Sequence, residues 1–401
     1  MGERMSGRTE YKWGQLASLE YGKSLINYRE GKGAIPVFGT NGQIGYTDKV
    51  LCNYPSVIIG RKGAYRGIHY SKIPFSVIDT AFYLKPKLPI IDLKFCFYYL
   101  KTFDINGMDS GSAIPSTSRE DFYNLNAIIP ELPTQITIAS LLSSLDDKIE
   151  LNNAINKNLE KLAQALFKQW FVDFEFPNDN GESYKSSGGE MVDSELVEIP
   201  KSWTRSSLDE IADFLNGLAL QKFPVKSQSE SLPVIKIREL KNGITDSTDR
   251  ANRELPIKYI VQNGDVLFSW SGSLAIDFWC NGEGALNQHL FKVTSNKYPK
   301  WFYFLWTNFH LGEFISIAES KATTMGHIQR KHLSDAKVLV PTSVQISRFS
   351  ESFEPLYSHL IGNRIENNHL INLRDTILPK LMSGELSILE AEKLTQTPEL
   401  A

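Results

Sequence analysis

The chain holds 401 residues, 42% apolar and 11% aromatic, with a formal net charge of −3, enough apolar material for more than one core, so two or more domains are expected. Its three cysteines, Cys52, Cys96 and Cys280, are odd in number and far apart, which argues against a disulfide framework or a Cys-based zinc site; with no signal-peptide pattern and no apolar run of about 18 residues, a cytoplasmic protein without a membrane segment is expected. The charge argues mildly against nucleic acid, yet residues 1–130 carry 16 Lys/Arg against 11 Asp/Glu, so the local balance permits a phosphate-contacting face.

After a polar start, Tyr11 to Leu16 opens the first globular unit. Ala17-Ser18-Leu19-Glu20-Tyr21-Gly22-Lys23-Ser24 fits a relaxed phosphate-loop pattern. A phosphate cradle needs small residues whose N–H groups reach the ligand, and here Leu19, Glu20 and Tyr21 fill the loop, so a nucleotide site is rejected. Ile35 to Tyr46 reads as strand, turn and strand, with Thr40-Asn41-Gly42-Gln43 at the turn. Val57-Ile58-Ile59 is a short apolar strand that ends in Gly60-Arg61-Lys62-Gly63-Ala64-Tyr65-Arg66-Gly67. Three cations among three glycines can contact phosphates and guanine edges, and can equally form a solvated turn. Ile78 to Leu84 is a further strand, and the aromatic run Phe95 to Leu100 reads as core. Residues 111–119 form a small hydroxyl loop whose Ser116, Ser118 and Arg119 can donate to phosphates, ahead of the strand Ala127 to Pro130.

A helix is predicted next, with Thr134 as its N-cap. Leu142, Leu145, Ile149, Asn152, Asn156, Leu159, Ala163, Leu166 and Trp170 recur three and four apart, a heptad seam. The seam returns about 211 positions later as Phe353, Leu356, Leu360, Asn363, Asn367, Leu370, Arg374, Ile377 and Leu381. Both copies place Asn at the same two seam positions, where an apolar residue would stabilise more and an amide specifies register. The helices are therefore expected to pair, each about 50 Å long at about 1.5 Å per residue, and to act as a ruler. Between them, Asn178 to Pro200 reads as a polar, Gly/Ser-rich linker. Asp179, Glu182 and Lys185 suggest a metal-dependent nuclease, but their spacing is one residue too long and no buried strand presents them.

From Trp203 the order of elements repeats. Leu232 to Ile235 with Lys241-Asn242-Gly243-Ile244 answers Ile35 to Val37 with Thr40 to Gln43, and Asp265 to Ser273 answers Ser56 to Ala64. Asn287 to Phe291 answers Asp79 to Tyr83, Trp301 to Leu305 answers Cys96 to Leu100, Thr323 to Gln329 answers Ser112 to Ser118, and Val338 to Pro341 answers Ala127 to Pro130. One architecture is used twice with different loop chemistry, as a reader of two short targets requires. No methyltransferase motif with paired prolines, no cofactor fingerprint, no His-Glu-x-x-His and no nucleophile elbow occurs. His289, His327 and His332 lack partners at ligand spacing and read as structural or surface residues.

Leu142 to Asn153, Ala165 to Phe174, Tyr184 to Gly189 and Leu378 to Gly384 together resemble the specificity subunits of type I restriction-modification systems; Val37 to Tyr46 and Ile59 to Gly63 add to the likeness. The resemblance implies two target-recognition domains separated by two long antiparallel helices and related by an approximate twofold. It also implies partners: double-stranded DNA, two methyltransferase subunits that carry S-adenosylmethionine and modify adenine, docked on the helices, and restriction subunits that use ATP and Mg. No cofactor or metal is expected on this chain itself.

The expected fold is α+β: two mixed α/β target-recognition domains (1–133 and 201–342) separated by two long helices (134–176 and 343–388) packed as an antiparallel coiled coil, with a linker at 177–200 and a tail at 389–401. The expected function is non-catalytic recognition of a bipartite, asymmetric DNA target with an unread gap of about six base pairs. Candidate DNA contacts are Asn41, Gln43, Arg61, Lys62, Arg66, Ser116, Ser118 and Arg119 in the first unit, and Ser271, Ser273, Gln288 and Gln329 in the second. Asn152, Asn156, Asn363 and Asn367 are the candidate register residues. The competing readings are a duplicated protein-binding scaffold with no DNA role, which the near-neutral charge favours, and a nuclease or methyltransferase acting alone.

Overall fold

The computed structural model describes residues 7–108, 115–194, 198–227, 230–320 and 326–396. The chain divides into two compact units, one formed by residues 1–149 with 370–401 and the other by residues 150–369.

In the first unit Arg8–Lys12 pairs antiparallel with Asn126–Pro130. A single helical turn, Trp13–Leu16, then leads into β1 (Ala17–Tyr21). With β2 (Ser56–Gly60), β3 (Ile68–Ser71) and β4 (Ala81–Pro86), β1 forms an antiparallel sheet in the order β1-β4-β2-β3. The apolar run in β2 has a direct cause. Val57 and Ile59 point into the main core with Trp13, Phe95 and Leu142, whereas Ile58 points the other way into a small core with Phe38, Phe75 and Val77. Both faces are covered, so the two-residue alternation carries apolar groups on each side. The second face is closed by the hairpin Ile35–Gly39 and Gly42–Thr47, joined in parallel by Ser76–Val77. Phe95 to Leu100 lies in the buried helix Leu93–Leu100, whose Asp92 carboxylate accepts from the Phe95 N–H.

The second unit repeats this plan. Thr204–Ser207 pairs with Lys337–Val340, and the helical turn Leu208–Ile211 leads into β5 (Asp213–Asn216). With β6 (Val266–Ser269), β7 (Ala275–Phe278) and β8 (Leu290–Thr294) it gives the order β5-β8-β6-β7, again antiparallel. Val266 and Phe268 face the main core and Leu267 faces a second one. The registers correct one expectation. Phe82 stands opposite Ile59 and Phe291 opposite Phe268, so Phe291 answers Phe82, not Tyr83. Where the first unit has the turn Thr40 to Gln43, the second has a short helix, Ile237–Asn242.

The long helices are α1 (Leu132–Phe167) and α2 (Ser343–Ser383). Thr134 is not the N-cap: α1 begins at Leu132 with Pro133 in its first turn, where the missing N–H costs nothing. Inside the second unit the two helices lie side by side and antiparallel. Asn152 Nδ2 donates to Asn367 Oδ1 at 2.9 Å and to Glu366 Oε2 at 2.7 Å, and Asn367 Nδ2 donates to Asn153 Oδ1 at 2.9 Å. One turn on, Asn363 Nδ2 donates to Asn156 Oδ1 at 2.9 Å. Inside the first unit the same helices meet through Leu142, Leu145, Ile377 and Leu381 in one core. There Asp146 receives Arg374 at 2.5 Å and the Tyr98 hydroxyl at 2.6 Å.

Two further segments differ from expectation. The stretch after Phe176 is folded onto the second unit: Phe176 stacks on Tyr184 and Trp203 with ring centroids 4.6 and 5.1 Å apart, and the Asn178 carbonyl accepts from Arg348 at 2.8 Å. Its Gly and Ser residues serve chain reversal rather than flexibility. The segment expected as a tail carries the helix Ile388–Gln396, whose Ala391 is fully buried in the first core.

The amide pairs are the least replaceable seam contacts. Asn367→Ala, which removes the partner of the buried Asn152 amide, should cost about 1–3 kcal/mol in urea unfolding. The double change Asn152→Leu with Asn367→Leu should recover most of that loss, because matched apolar groups leave no stranded amide between them; equal loss in both variants would show that the amides are not coupled.

Candidate nucleic-acid interface

In the first unit β2 ends at Gly60, whose α-carbon presses so closely on Arg66 and the Thr40 carbonyl that a Cβ would lie 2.9 Å from each. The loop beyond is pinned by main-chain hydrogen bonds, with the Thr117 hydroxyl donating to the Gly60 carbonyl at 2.8 Å and the Thr40 hydroxyl to that of Lys62 at 3.0 Å beside them. Gly63 N–H donates to the Pro115 carbonyl at 3.0 Å, Thr117 N–H donates to the Arg61 carbonyl at 2.9 Å, and Lys62 bridges to Ser116. Gly63 has φ +124, a value open to glycine. The candidate residues 116–119 are thus brought against residues 61–63, although residues 111–114 of that loop lie outside the described residues.

The side chains at this pin divide sharply. The Arg61 guanidinium lies 4.8 Å from the Tyr21 ring centroid and 5.7 Å from that of Phe82, and donates to the Asp79 carbonyl at 2.9 Å. The Arg119 guanidinium lies 5.0 Å from the same Tyr21 ring, and its Nη2 donates to the Tyr123 hydroxyl at 2.9 Å. That hydroxyl and Tyr21 raise its already high pKa. Tyr21 is exposed and braces both cations. Lys62 is exposed, as are Asn41 and Gln43 on the neighbouring turn. The Asn41 carboxamide lies against the carbonyls of Thr40 and Tyr65, at 3.1 and 2.9 Å, where its NH2 can donate. Ser118 is the N-cap of the short helix Arg119–Asn124 and accepts from the Asp121 N–H, which commits its hydroxyl locally.

Arg66 is a correction. It is 2% exposed, and its guanidinium donates to the carbonyls of Ile105, Asn106 and Met108 at 3.1, 2.7 and 3.1 Å. It clamps the loop from within and is not available to DNA.

The second unit carries the same pin at the equivalent place. Gly272 N–H donates to the Gly326 carbonyl at 2.8 Å, Ile328 N–H donates to the Trp270 carbonyl at 3.0 Å, and Ser271 bridges to His327. Trp270 occupies the position of Arg61, packing 5.9 Å from Phe291 and donating its indole N–H to Asn216 Oδ1 at 3.0 Å and to the Gln288 carbonyl at 3.2 Å. Asn216 takes the place of Tyr21, since Tyr21 pairs with Phe82 and Asn216 with Phe291. Arg330, in the place of Arg119, lies 5.7 Å from the Phe291 ring and donates to the Phe214 carbonyl.

Among the candidates of this unit, Ser271 is a second correction: it is 3% exposed, with its hydroxyl held inside the fold 2.9 Å from His289 Nδ1. Ser273 accepts from Lys241 and is exposed. The Gln288 amide approaches His289 Nε2 at 3.4 Å. Gln329 is the N-cap residue of the short helix Arg330–Asp335, with its backbone N–H donating to His332 Nδ1 at 2.9 Å. His332 is therefore structural, whereas His327 and His289 stand at the pin itself, with ring centroids 6.3 and 6.1 Å from that of Trp270.

Sequence reasoning missed Tyr21, Asn216, Trp270 and Arg330. The usable signal was a pair of strand ends, Tyr21-Gly22 and Asn216-Gly217. A Cβ on Gly22 would lie 1.9 Å from the Ile78 carbonyl oxygen, and one on Gly217 would lie 2.2 Å from that of Asn287. Gly22 is thus fixed by a close backbone crossing, which is the physical content of the rejected phosphate-loop pattern. No group of three or more His, Cys, Asp or Glu able to hold a metal occurs among the described residues. Nor is any helix among them long and apolar enough to cross a membrane.

The family described as the type I restriction modification DNA specificity domain matches residues 5–161 and again residues 200–366. The chain belongs to this family. The MjaIX type I restriction enzyme specificity subunit of Methanocaldococcus jannaschii is 25% identical, with 97% of this chain and 91% of the relative aligned. The HindI specificity subunit of Haemophilus influenzae is 22% identical over 77% and 81%. In fold the chain is similar to the crystal structure of the type I restriction-modification S subunit from M. genitalium, with a TM-score of 0.66, 17% identity, and 95% and 98% of the two chains covered. The function that follows is sequence-specific DNA recognition within a restriction-modification system, by a subunit that is not itself the enzyme.

The burial of Arg66 separates structure from recognition. Arg66→Ala should lower the stability of the chain by about 2–4 kcal/mol in urea unfolding, since several carbonyls lose their donor inside the fold. Arg61→Ala should cost less than about 1 kcal/mol. Equal losses would place Arg61, too, among the structural residues.

Proposed function

We propose that each unit reads one half of a bipartite, asymmetric DNA target with the end of its four-stranded sheet, where main-chain hydrogen bonds hold a loop against the start of a short helix. The observation that carries this reading is the recurrence of the same pin with different side chains: Arg61, Lys62 and Ser116 in one unit, Trp270, Ser271 and His327 in the other. Equal backbones with unequal side chains give equal docking and unequal readout. The half-sites therefore differ, and the unread gap depends on the two helices that both units share.

Affinity for any duplex comes from the exposed cations. Lys62, next to the stacked Arg61 and Arg119, is placed to neutralise a phosphate. In the second unit Ser271 stands at the position of Lys62, and the exposed Arg330, in the place of Arg119, would be the cation nearest the pin. Methylation and cutting belong to partner subunits, methyltransferases holding S-adenosylmethionine and restriction subunits holding ATP and Mg. For the methyltransferases one flank of α1 offers a docking stripe: Leu151, Ile155 and Leu162 are exposed apolar residues that recur at helical spacing beside the buried seam.

Titrating the full chain with a randomised duplex library and sequencing the bound fraction should return two short motifs separated by unspecified bases. A single contiguous motif would overturn the bipartite reading, and no binding even at low salt would favour a protein-binding scaffold. Lys62→Gln should reduce the slope of log K against log salt by about 0.9 without altering either motif.

The docking stripe is tested separately. Replacing Leu151, Ile155 and Leu162 with Glu should abolish co-purification with a co-expressed methyltransferase subunit while leaving the thermal unfolding of this chain within a few degrees of the parent. Retained co-purification would place that partner elsewhere.

A further inference from the structure

We infer that the first unit reads a guanine with the braced pair Arg61 and Arg119, and that the second unit reads no guanine at the equivalent position; the inference rests on the DNA-reading proposal above. Two guanidiniums converge on one exposed ring, Tyr21, at 4.8 and 5.0 Å. Each is tethered by neutral oxygens only, the Asp79 carbonyl for Arg61 and the Tyr123 hydroxyl for Arg119. Neither has a carboxylate partner among the ion pairs of the described residues. An arginine fork so placed keeps N–H donors uncommitted while its side chain is already ordered, so little rotamer freedom is lost on contact. Guanine presents two adjacent acceptors, O6 and N7, in the major groove, the edge that matches such a fork.

The contrast with the second unit carries the argument further. Trp270 stands where Arg61 stands, and its single N–H is spent on Asn216 and the Gln288 carbonyl. Asn216 replaces the Tyr21 brace, and the remaining fork, Arg330, is tied to the Phe214 carbonyl over Phe291. Among the described residues no paired set of guanidiniums lies there. The side chains nearest the pin are His289, Gln288 and His327, around a tryptophan ring. The same backbone thus presents two arginine forks at one end of the target and an aromatic ring with amide and imidazole groups at the other.

Tyr21 is a positioning residue in this scheme. It touches the two cations and not the base, so its removal should loosen guanine discrimination without deleting a phosphate contact.

The test uses the full chain and the randomised duplex library, with four proteins compared: parent, Arg61→Lys, Arg119→Lys and Tyr21→Leu. Lysine keeps the charge but not the fork. A guanine in one half-site of the parent motif should lose on the order of tenfold to a hundredfold preference in Arg61→Lys or Arg119→Lys. Tyr21→Leu should weaken preference at the same base pair, and in every variant the other half-site and the salt slope should stay as in the parent. If the parent selects no motif, the DNA-reading proposal fails together with this one. If the parent selects a motif whose guanine preferences stay within twofold in both lysine variants, only the guanine inference fails. Thermal unfolding of each variant, expected near the parent value, separates a loss of discrimination from a loss of fold.

Discussion

The main-chain hydrogen bonds at the two pins are the constraint on which the candidate interface rests. The pairs Gly63 to Pro115 and Thr117 to Arg61 recur as Gly272 to Gly326 and Ile328 to Trp270. A net contribution of about 1 kcal/mol each is modest, but the contribution is the same whatever residue occupies the position. The glycines supply what the backbone cannot do without: Gly63 and Gly272 have positive φ, and Gly22 and Gly217 let two chain segments cross where a Cβ would collide. Shape is thereby fixed by main chain, glycine and a few inward side chains such as Arg66 and Thr117, and an outward side chain such as Lys62 can change without altering it. A reader that must change its target while keeping its fold needs that division.

The polar seam connects this division to the helices. In the second unit the Asn ladder sets which turn of α1 faces which turn of α2, and Arg364 then joins α2 to the sheet through Asp277 on β7 and to α1 through Glu160, at 2.6 and 2.9 Å. Asn368 adds a bond to the Cys280 carbonyl at 2.7 Å. In the first unit Asp146 has the corresponding task, holding Arg374 of α2 with one oxygen and Tyr98 of the helix behind the sheet with the other. A purely apolar seam would stabilise more but would tolerate sliding by a heptad. Such a slide would break these links, so helix register and sheet position are specified together within each unit.

Much of the plan was legible because the repeat is periodic in sequence. The equivalence of Asp265 to Ser273 with Ser56 to Ala64, and of Thr323 to Gln329 with Ser112 to Ser118, coincides residue by residue with the two pins where the chain is described. Asn287 to Phe291 was aligned one residue out because the loop residues Asp79 and Asn287 resemble each other more than the strands do, and only register decides. Thr40 to Gln43 and Lys241 to Ile244 resemble each other as turns, but one closes a hairpin and the other ends a helix, since nothing in the pins constrains the segment between. Arg66 was unreadable for a different reason. Three cations in eight residues look alike in a string, and only the fold reveals that one of them points inward to three carbonyls.

With Arg66 withdrawn, the cations at the pin of the first unit are Arg61, Lys62 and Arg119, in a chain whose net charge is −3. Sequence-independent attraction to a duplex grows with the number of phosphates neutralised. On the proposed reading, preference for a target comes from base edges and from how easily the target deforms. Weak background binding sharpens selection, because the competing sites in a genome vastly outnumber the target. On that reading the polar groups at the two pins serve discrimination, and a net charge of −3 adds no general attraction to the duplex.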